Sequence, residues 1–156
     1  MQAQDKKAVV RRFWEEVFNQ GNLNIVDELF APEWALYDDR EADFNEELRG
    51  PEAVRDLVGR IRDTFSDLRV LLEDQMAAEA DRVVTRFTIS GTYDGTPVEV
   101  KGISISQVSN GKITGSWVNW ESAHMYEQLG GYFVESTEDL PPGVEAIVFK
   151  RPIWDP

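Results

Sequence analysis

The sequence has no cysteine and a single histidine among its 156 residues. It therefore has no disulfide framework, no thiol nucleophile and no metal site built from several histidines, and a Ser-His-Asp triad is disfavoured. Long apolar runs are also missing. The N-terminus, MQAQDKKAVV, is too polar for a signal peptide, and no segment could span a membrane. These absences predict a cytoplasmic protein with no membrane partner.

Basic residues are scarce, with 16 Lys and Arg against 29 Asp and Glu and a formal net charge of −13. Because nucleic acids and anionic membranes are bound through clustered Lys and Arg, this balance argues against both as partners. The acidic excess is interpreted as a solubility feature. The length fits one domain that can bury its own core.

Three helices are predicted in the first half of the chain. Residues 5–20 place their apolar side chains on one helical stripe, with Asp5 as a plausible N-cap and Gly21 as the stop. A second short helix covers residues 23–30. The third begins at Gly50-Pro51-Glu52, because proline suits the first helical turn.

The hydrophobic period then changes from a helical one to two, which indicates strands. Strands are predicted over 68–78, 81–93, 97–108 and 112–121, after a short strand at 34–37. The Asn110-Gly111 pair predicts a tight hairpin, since both residues tolerate positive φ. The pattern is typical of an α+β fold: a curved antiparallel sheet, or half-barrel, with the three N-terminal helices packed on its concave face.

A short helix is predicted over 122–130, with Ser122 as its cap, and a tail follows. We divide the chain into a domain over 1–130 and an extension over 131–156, with one candidate strand at 144–150. The extension is too apolar for a disordered acidic tail. We expect it to pack on the pocket mouth or on a partner subunit.

Several stretches together resemble one family. They are KKAVVRRFWEEVFNQGNLNIVDELFAPEW, the helix that begins GPEAVRDLVGRI, the hairpin VEVKGISISQVSNGKITGSWVNWE and the closing YEQLG. In this order and spacing they resemble the SnoaL-like polyketide cyclases (ester cyclases) of the nuclear-transport-factor-2-like superfamily, over about residues 5–130. The resemblance implies a cone-shaped fold with an apolar pocket and chemistry without a metal or organic cofactor. Relatives of this fold include cyclases, isomerases, dehydratases, epoxide hydrolases and non-catalytic modules, so the fold alone does not define the reaction.

Glu121 is the first candidate catalytic group. It ends the last predicted strand beside Trp120 and two residues after Asn119. The resemblance implies an acid near this position and often another directly after the first tryptophan, where this chain has Val118. A carboxyl group in an apolar pocket has a raised pKa and can act as a general acid or base. The alternative is that Glu121 caps the last helix or faces water.

Asp38 and Asp39 follow the first predicted strand, directly after Tyr37. The resemblance implies a histidine near Tyr37, and a tyrosine there could still donate a hydrogen bond to a developing oxyanion. Asp38 and Glu121 could divide acid and base roles between them. The alternative is that both aspartates begin a solvated acidic loop over 38–47.

The remaining candidates are ligand contacts. Arg86 could bind a carboxylate if its face of the strand lines the pocket, or it could face solvent or a dimer interface. The aromatic candidates could form either the pocket wall or the ordinary core. These are Trp14, Phe18, Trp34, Trp117 and Trp120, with Asn119 as a polar neighbour.

His124 lies inside the last predicted helix, and we interpret it as a surface or interface group rather than a base.

The leading hypothesis is a cofactor-independent acid/base enzyme that acts on an apolar secondary metabolite such as a polyketide, by cyclisation, isomerisation, dehydration or epoxide opening. The alternative is a non-catalytic module of the same fold that binds a small ligand or assembles with partners. A homodimer is expected in either case, because a curved sheet leaves an apolar outer face to cover.

Overall fold

The helical layer begins with one long N-terminal element. The structure, a computed structural model, describes residues 1–37, 48–131 and 136–143. Helix α1 (Ala3–Arg12) continues without a break into a π-helix (Phe13–Asn19), so the helix predicted over 5–20 is confirmed in extent but changes type halfway. The predicted cap is wrong: Gln2 is the N-cap, and Asp5 instead completes a capping box from the third helical position. Gly21, with φ of +71°, ends the element as predicted.

The next elements lead into the sheet. A 3₁₀ turn (Leu23–Ile25) and helix α2 (Val26–Leu29) precede strand β1 (Phe30–Tyr37), which begins four residues before the predicted strand. Helix α3 (Gly50–Thr64) begins as predicted, with Pro51 in its first turn. It buries Val54 and Val58 against the other elements.

Four long strands follow: β2 (Ser66–Ala78), β3 (Arg82–Tyr93), β4 (Thr96–Ser109) and β5 (Lys112–Trp120). They pair antiparallel in sequence order, and β1 joins β5 in parallel, so the strand order is β1-β5-β4-β3-β2. The predicted strands are confirmed. The five-stranded sheet is curved and unclosed, and with its helices it forms the predicted α+β half-barrel.

Tight turns connect the long strands. Asn110 and Gly111 have φ of 49° and 78°, and Asp94 and Gly95 have φ of 46° and 79°. Two successive positive φ values match the twist of a two-residue hairpin, which is why these residue types are found there. The hairpin predicted at Asn110-Gly111 is therefore confirmed.

Helix α4 (Ser122–Gln128) closes the last strand, and Glu121 rather than Ser122 occupies its N-cap position. A 3₁₀ turn (Thr137–Asp139) follows in the described part of the extension. The candidate strand at 144–150 lies outside the described residues, and the division at residue 130 stays a prediction. Across the ranges that the structure describes, no helix is long and apolar enough to cross a membrane.

Candidate functional site

A small apolar cavity lies on the inner face of the sheet, which is the face covered by the helices. Its volume is about 80 Å³. Side chains of α3, of four strands and of α4 line it, and none of them is ionisable. They are Ile61, Phe65, Leu68, Ile89, Gly91, Val98, Val100, Trp120 and Met125. Such a surface favours an apolar ligand.

Helix α4 is tied to the neighbouring strand by the side chain of Gln128. Gln128 donates from Nε2 to the Glu99 carbonyl at 2.7 Å, and its Oε1 accepts from the Glu99 backbone N–H at 2.8 Å. This two-point contact ties the helix to β4. It therefore positions Met125 of the same helix at the cavity wall.

Behind the cavity, the inner face carries a cluster of aromatic side chains. Trp14 of the π-helix packs on Phe87 of β3 with ring centroids 4.7 Å apart, and it also contacts Phe18 at 5.3 Å. Phe30 packs edge-to-face on Trp34 at 5.4 Å. All five side chains are buried. The predicted residues Trp14, Phe18 and Trp34 therefore lie together in the core behind the cavity.

A row of hydroxyl groups crosses the same face. Thr85, Ser104, Ser106 and Ser116 are all buried, and they occupy register-paired positions on β3, β4 and β5. Trp34 donates from Nε1 to the Ser116 Oγ at 3.0 Å. Gln75 donates from Nε2 to the Thr85 Oγ1 at 3.3 Å.

Sequence reasoning missed these hydroxyls. The signal was present in the alternation Ser104-Ile105-Ser106, which places small polar groups on one face of a strand and apolar groups on the other.

Trp120 is the predicted aromatic residue that lines the cavity itself. It is paired with Gly102 in register and lies on the inner face. Val118, two residues earlier, shares that face and packs partly buried against the core. The position at which the resemblance implies an acid is therefore an apolar inner-face position.

Three predicted residues lie on the other side of the sheet. Tyr37 stacks on Trp117 with ring centroids 4.8 Å apart, and Tyr37 is 47% exposed. Asn119 is exposed and alternates with Val118 and Trp120 along β5. Because successive strand residues point to opposite faces, Tyr37, Trp117 and Asn119 lie away from the cavity. We correct their expected place in the pocket accordingly.

Arg86 also lies on the outer face. It is exposed and alternates with the buried Phe87 along β3. The sequence allowed Arg86 to lie either on the pocket face or on the face towards solvent or a dimer interface, and in the structure it lies on the second face. It does not line the described cavity.

Glu121 follows the cavity residue Trp120 directly along the chain. Its backbone N–H donates to the Lys101 carbonyl at 3.0 Å, and its Oε2 accepts from the Lys101 backbone N–H at 3.4 Å. The side chain is exposed. Glu121 occupies the N-cap position of α4 without a side-chain capping hydrogen bond and faces water, which agrees with the second of the two sequence-based alternatives.

The remaining titratable residues singled out in the sequence are Asp38, Asp39 and His124. Asp38 and Asp39 lie outside the described residues. His124 is exposed, with its Nδ1 3.6 Å from the Glu127 Oε2 on the same helix. That position agrees with the interpretation of His124 as a surface group.

The carboxylates with a shifted pKa lie at the surface, away from the cavity. A hydrogen bond from Lys6 lowers the pKa of Asp81, and a hydrogen bond from Arg12 lowers the pKa of Glu16. These pairs tie α1 to the β2–β3 turn and brace the helix itself. Neither pair reaches the cavity, so the described inner face is a neutral environment.

The chain is an α+β half-barrel with a small apolar cavity and buried hydroxyl groups on its inner face. The model of the SnoaL-like polyketide cyclase family matches residues 8–129. The chain belongs to this family. Among proteins with curated descriptions, none matches the chain.

Solved structures share the fold of this chain. IdmH of Streptomyces antibioticus, a proposed polyketide cyclase, has a TM-score of 0.69 at 24% identity, covering 81% of this chain and 99% of its own. An LEH-like epoxide hydrolase of M. tuberculosis has a TM-score of 0.65 at 18% identity, covering 81% and 90%. A Catenulispora acidiphila protein with a ketosteroid isomerase-like fold, solved with trimethylamine, has a TM-score of 0.66 at 18% identity, covering 78% and 92%. At these identities the likeness shows the fold.

The family and these neighbours together indicate an enzyme fold of the cyclase and isomerase type. They agree with the cone-shaped architecture expected from the sequence. The reaction has to be argued from the site itself.

Proposed function

We propose that this protein is a cofactor-independent acid/base enzyme that acts on an apolar secondary metabolite such as a polyketide. The observation that carries the proposal is the neutral, apolar inner-face cavity in a chain of this family. Such a cavity excludes water and binds carbon rings by burying apolar surface. The reaction class is cyclisation, isomerisation, dehydration or epoxide opening, and the proposed location is the cytoplasm.

Glu121 is the described carboxylate that we propose for proton transfer. It follows the cavity residue Trp120 directly along the chain, and we propose that its carboxylate reaches a ligand bound in the cavity. Asp38 is the second proposed group, one residue after the end of β1. Tyr37 is not proposed for this role, since its ring stacks on Trp117 on the outer face.

Two reporter substrates test this mechanism. A β,γ-unsaturated ketone reports isomerisation through the absorbance of the conjugated product, and an apolar epoxide reports ring opening. Glu121→Gln and Asp38→Asn should each lower the turnover of an accepted substrate by about 10²-fold or more, because positioned acid/base groups contribute about that much. Glu127→Gln, an exposed change on the same helix as the Glu121 cap, is the control and should leave turnover unchanged.

Wild-type turnover in both Glu121→Gln and Asp38→Asn would remove these two groups from the mechanism.

A second function is favoured by one specific observation. All nine residues that line the described cavity lack an ionisable side chain, and Val118 occupies the inner-face position where a carboxylate is expected. A non-catalytic module would bind its small apolar ligand in the same cavity. Tight binding of a probe with no turnover of any reporter substrate would select this function over the enzyme.

A further inference from the structure

Two buried polar atoms on the inner face have no hydrogen-bond partner among the described residues. They are the Nε1 of Trp14 and the Oγ of Ser104, on side chains that are only 5% and 2% exposed. Buried polar groups are nearly always paired in folded proteins, so each exception needs an explanation. A second tryptophan on the same face shows the ordinary case, because Trp34 donates to Ser116.

The two atoms belong to one region of the core. Trp14 packs on Phe87, and the Phe87 ring covers Gly102 so closely that a Cβ there would lie 2.5 Å from its Cζ. Ser104 is the next inner-face residue of β4 after Gly102. Both unpaired atoms are therefore in the layer around Phe87.

This layer adjoins the apolar cavity. Val100 lines the cavity and is the inner-face residue before Gly102, and Trp120 lines it while pairing with Gly102. The half-buried Trp120 side chain and the Phe87 ring, which covers Gly102, therefore lie between the cavity residue Val100 and Ser104. A ligand that extends inward from the cavity meets these side chains first.

The element that carries Trp14 supports a functional interpretation. Trp14 lies in a seven-residue π-helix, a rare conformation that is frequent at functional sites. The end of this helix is anchored from two directions. Arg62 donates to the carbonyls of Phe18 and Asn19 at 2.7 and 2.8 Å, and the Asn19 side chain bonds the backbone of Val70 on β2.

The hydrogen-bonding chemistry of Trp14 Nε1 and Ser104 Oγ defines which ligand group could bind both. An indole N–H only donates, whereas a serine hydroxyl donates and accepts. No Lys or Arg belongs to the described buried cluster on this face, so an anion would be buried without a counter-charge. The fitting complement is a neutral oxygen with two lone pairs on an apolar frame.

We propose that Trp14 Nε1 and Ser104 Oγ are the polar end of the ligand site and bind the carbonyl oxygen of an apolar ring compound. The Trp120 side chain turns aside to admit it. This proposal rests on the proposed function, since it takes the inner-face cavity as the ligand site. It assigns the substrate a ketone or quinone carbonyl at its inner end.

A matched pair of probes tests the proposal. 1-Indanone and indane share one bicyclic frame and differ in a single carbonyl group, and titration calorimetry measures the affinity of each for the full chain. Wild type should bind 1-indanone about 10-fold more tightly than indane, which corresponds to one net hydrogen bond. Ser104→Ala and Trp14→Phe should each reduce this preference and leave the affinity for indane nearly unchanged.

Ser116→Ala is the matched control, because it is the same change at a hydroxyl that already has a partner. It should retain the preference for the ketone. The two serine variants should also differ in thermal unfolding. Ser104→Ala removes an unpaired group and should keep or raise the unfolding midpoint, whereas Ser116→Ala leaves the Trp34 N–H unpaired and should lower it.

The outcomes separate the two proposals. If neither probe binds, the result contradicts both the cavity as a ligand site and the proposed carbonyl-binding pair. Binding of both probes with equal affinity, or an equal loss for both in Ser104→Ala, contradicts the carbonyl-binding pair alone. A crystal structure with bound 1-indanone would also overturn the proposal if an internal water, and not the ketone oxygen, contacts Trp14 Nε1 and Ser104 Oγ.

Discussion

The inner and outer faces of the same sheet use similar residue types for different purposes. On the inner face, Trp14, Trp34 and Phe87 are buried beneath the helices beside neutral hydroxyls and an apolar cavity. On the outer face, Tyr37 and Trp117 stack on each other at the surface. An aromatic residue near the end of β5 therefore says little about the site until its face is known.

The spacing of two tryptophans makes this concrete. Trp117 and Trp120 are three residues apart in one strand, and the strand period of two places them on opposite faces. Trp120 lines the cavity, whereas Arg82 lies over the Trp117 ring with its Cζ 5.4 Å from the centroid. Equal proximity in sequence thus leads to different environments.

The largest expected effect on stability distinguishes an apolar side chain on the inner face, Phe87, from one on the outer face, Ile103. Phe87→Ala should lower the free energy of unfolding by about 3–5 kcal/mol, because it leaves a cavity beneath Trp14. Ile103→Ala, at a side chain that is 48% exposed on the outer face, should change it by less than about 0.5 kcal/mol. Denaturant unfolding of each variant at the same protein concentration measures both changes. Similar losses in the two variants would mean that the faces are not energetically distinct.

The second prediction concerns two glycines with opposite surroundings. A Cβ at Gly102 would lie 2.5 Å from the Phe87 Cζ and 2.7 Å from the Asn119 backbone oxygen, so Gly102→Ala should destabilise the protein by about 1–3 kcal/mol. Gly59 lies within α3 with open space around it, and Gly59→Ala should stabilise it by about 0.5–1 kcal/mol. Thermal and denaturant unfolding should show opposite signs, and equal signs would contradict the packing described for Gly102.

The third prediction concerns association and should affect the fold least. We propose that the homodimer forms through the outer face. A stripe of register-paired side chains crosses that face from β1 to β2. This outer-face stripe consists of Tyr37, Trp117, Ile105, Val84 and Met76. Ile105→Glu places a charge at its centre and should shift the protein from dimer to monomer in sedimentation, because burying an unpaired charge is costly.

Leu71→Glu is the control for this assembly, since Leu71 is exposed on the edge strand β2 outside the stripe. It should leave the association unchanged. A wild-type chain that sediments as a monomer at high concentration would contradict the proposed homodimer.

Much of the architecture could be predicted from local patterns. The Asn110-Gly111 turn, the Gly21 stop and the proline at the start of α3 act through backbone geometry that is local to those residues. The change in hydrophobic period located the strands for the same reason. The π-helical half of the first element was not predictable, because its stripe of apolar residues resembles an ordinary helix.

The site was predictable only in part. Trp14, Phe18, Trp34 and Trp120 were interpreted as either pocket wall or ordinary core. The first three lie in the buried core, and Trp120 lines the described cavity. Tyr37 and Trp117 were placed there by proximity in sequence, but parallel pairing of β1 with β5 brings them together on the outer face. The pairing register between strands that are distant in sequence determines which face these residues occupy, and no local sequence pattern contains that register.

The sequence by itself determined the acidic surface, the elements and the family, since charge, hydrophobic period and turn residues are local properties of the chain. Only the tertiary structure decided which face each side chain occupies and which polar groups have partners. That decision arises from long-range strand pairing and helix packing, through which the Trp34 N–H meets Ser116 while the N–H of Trp14 meets no described partner.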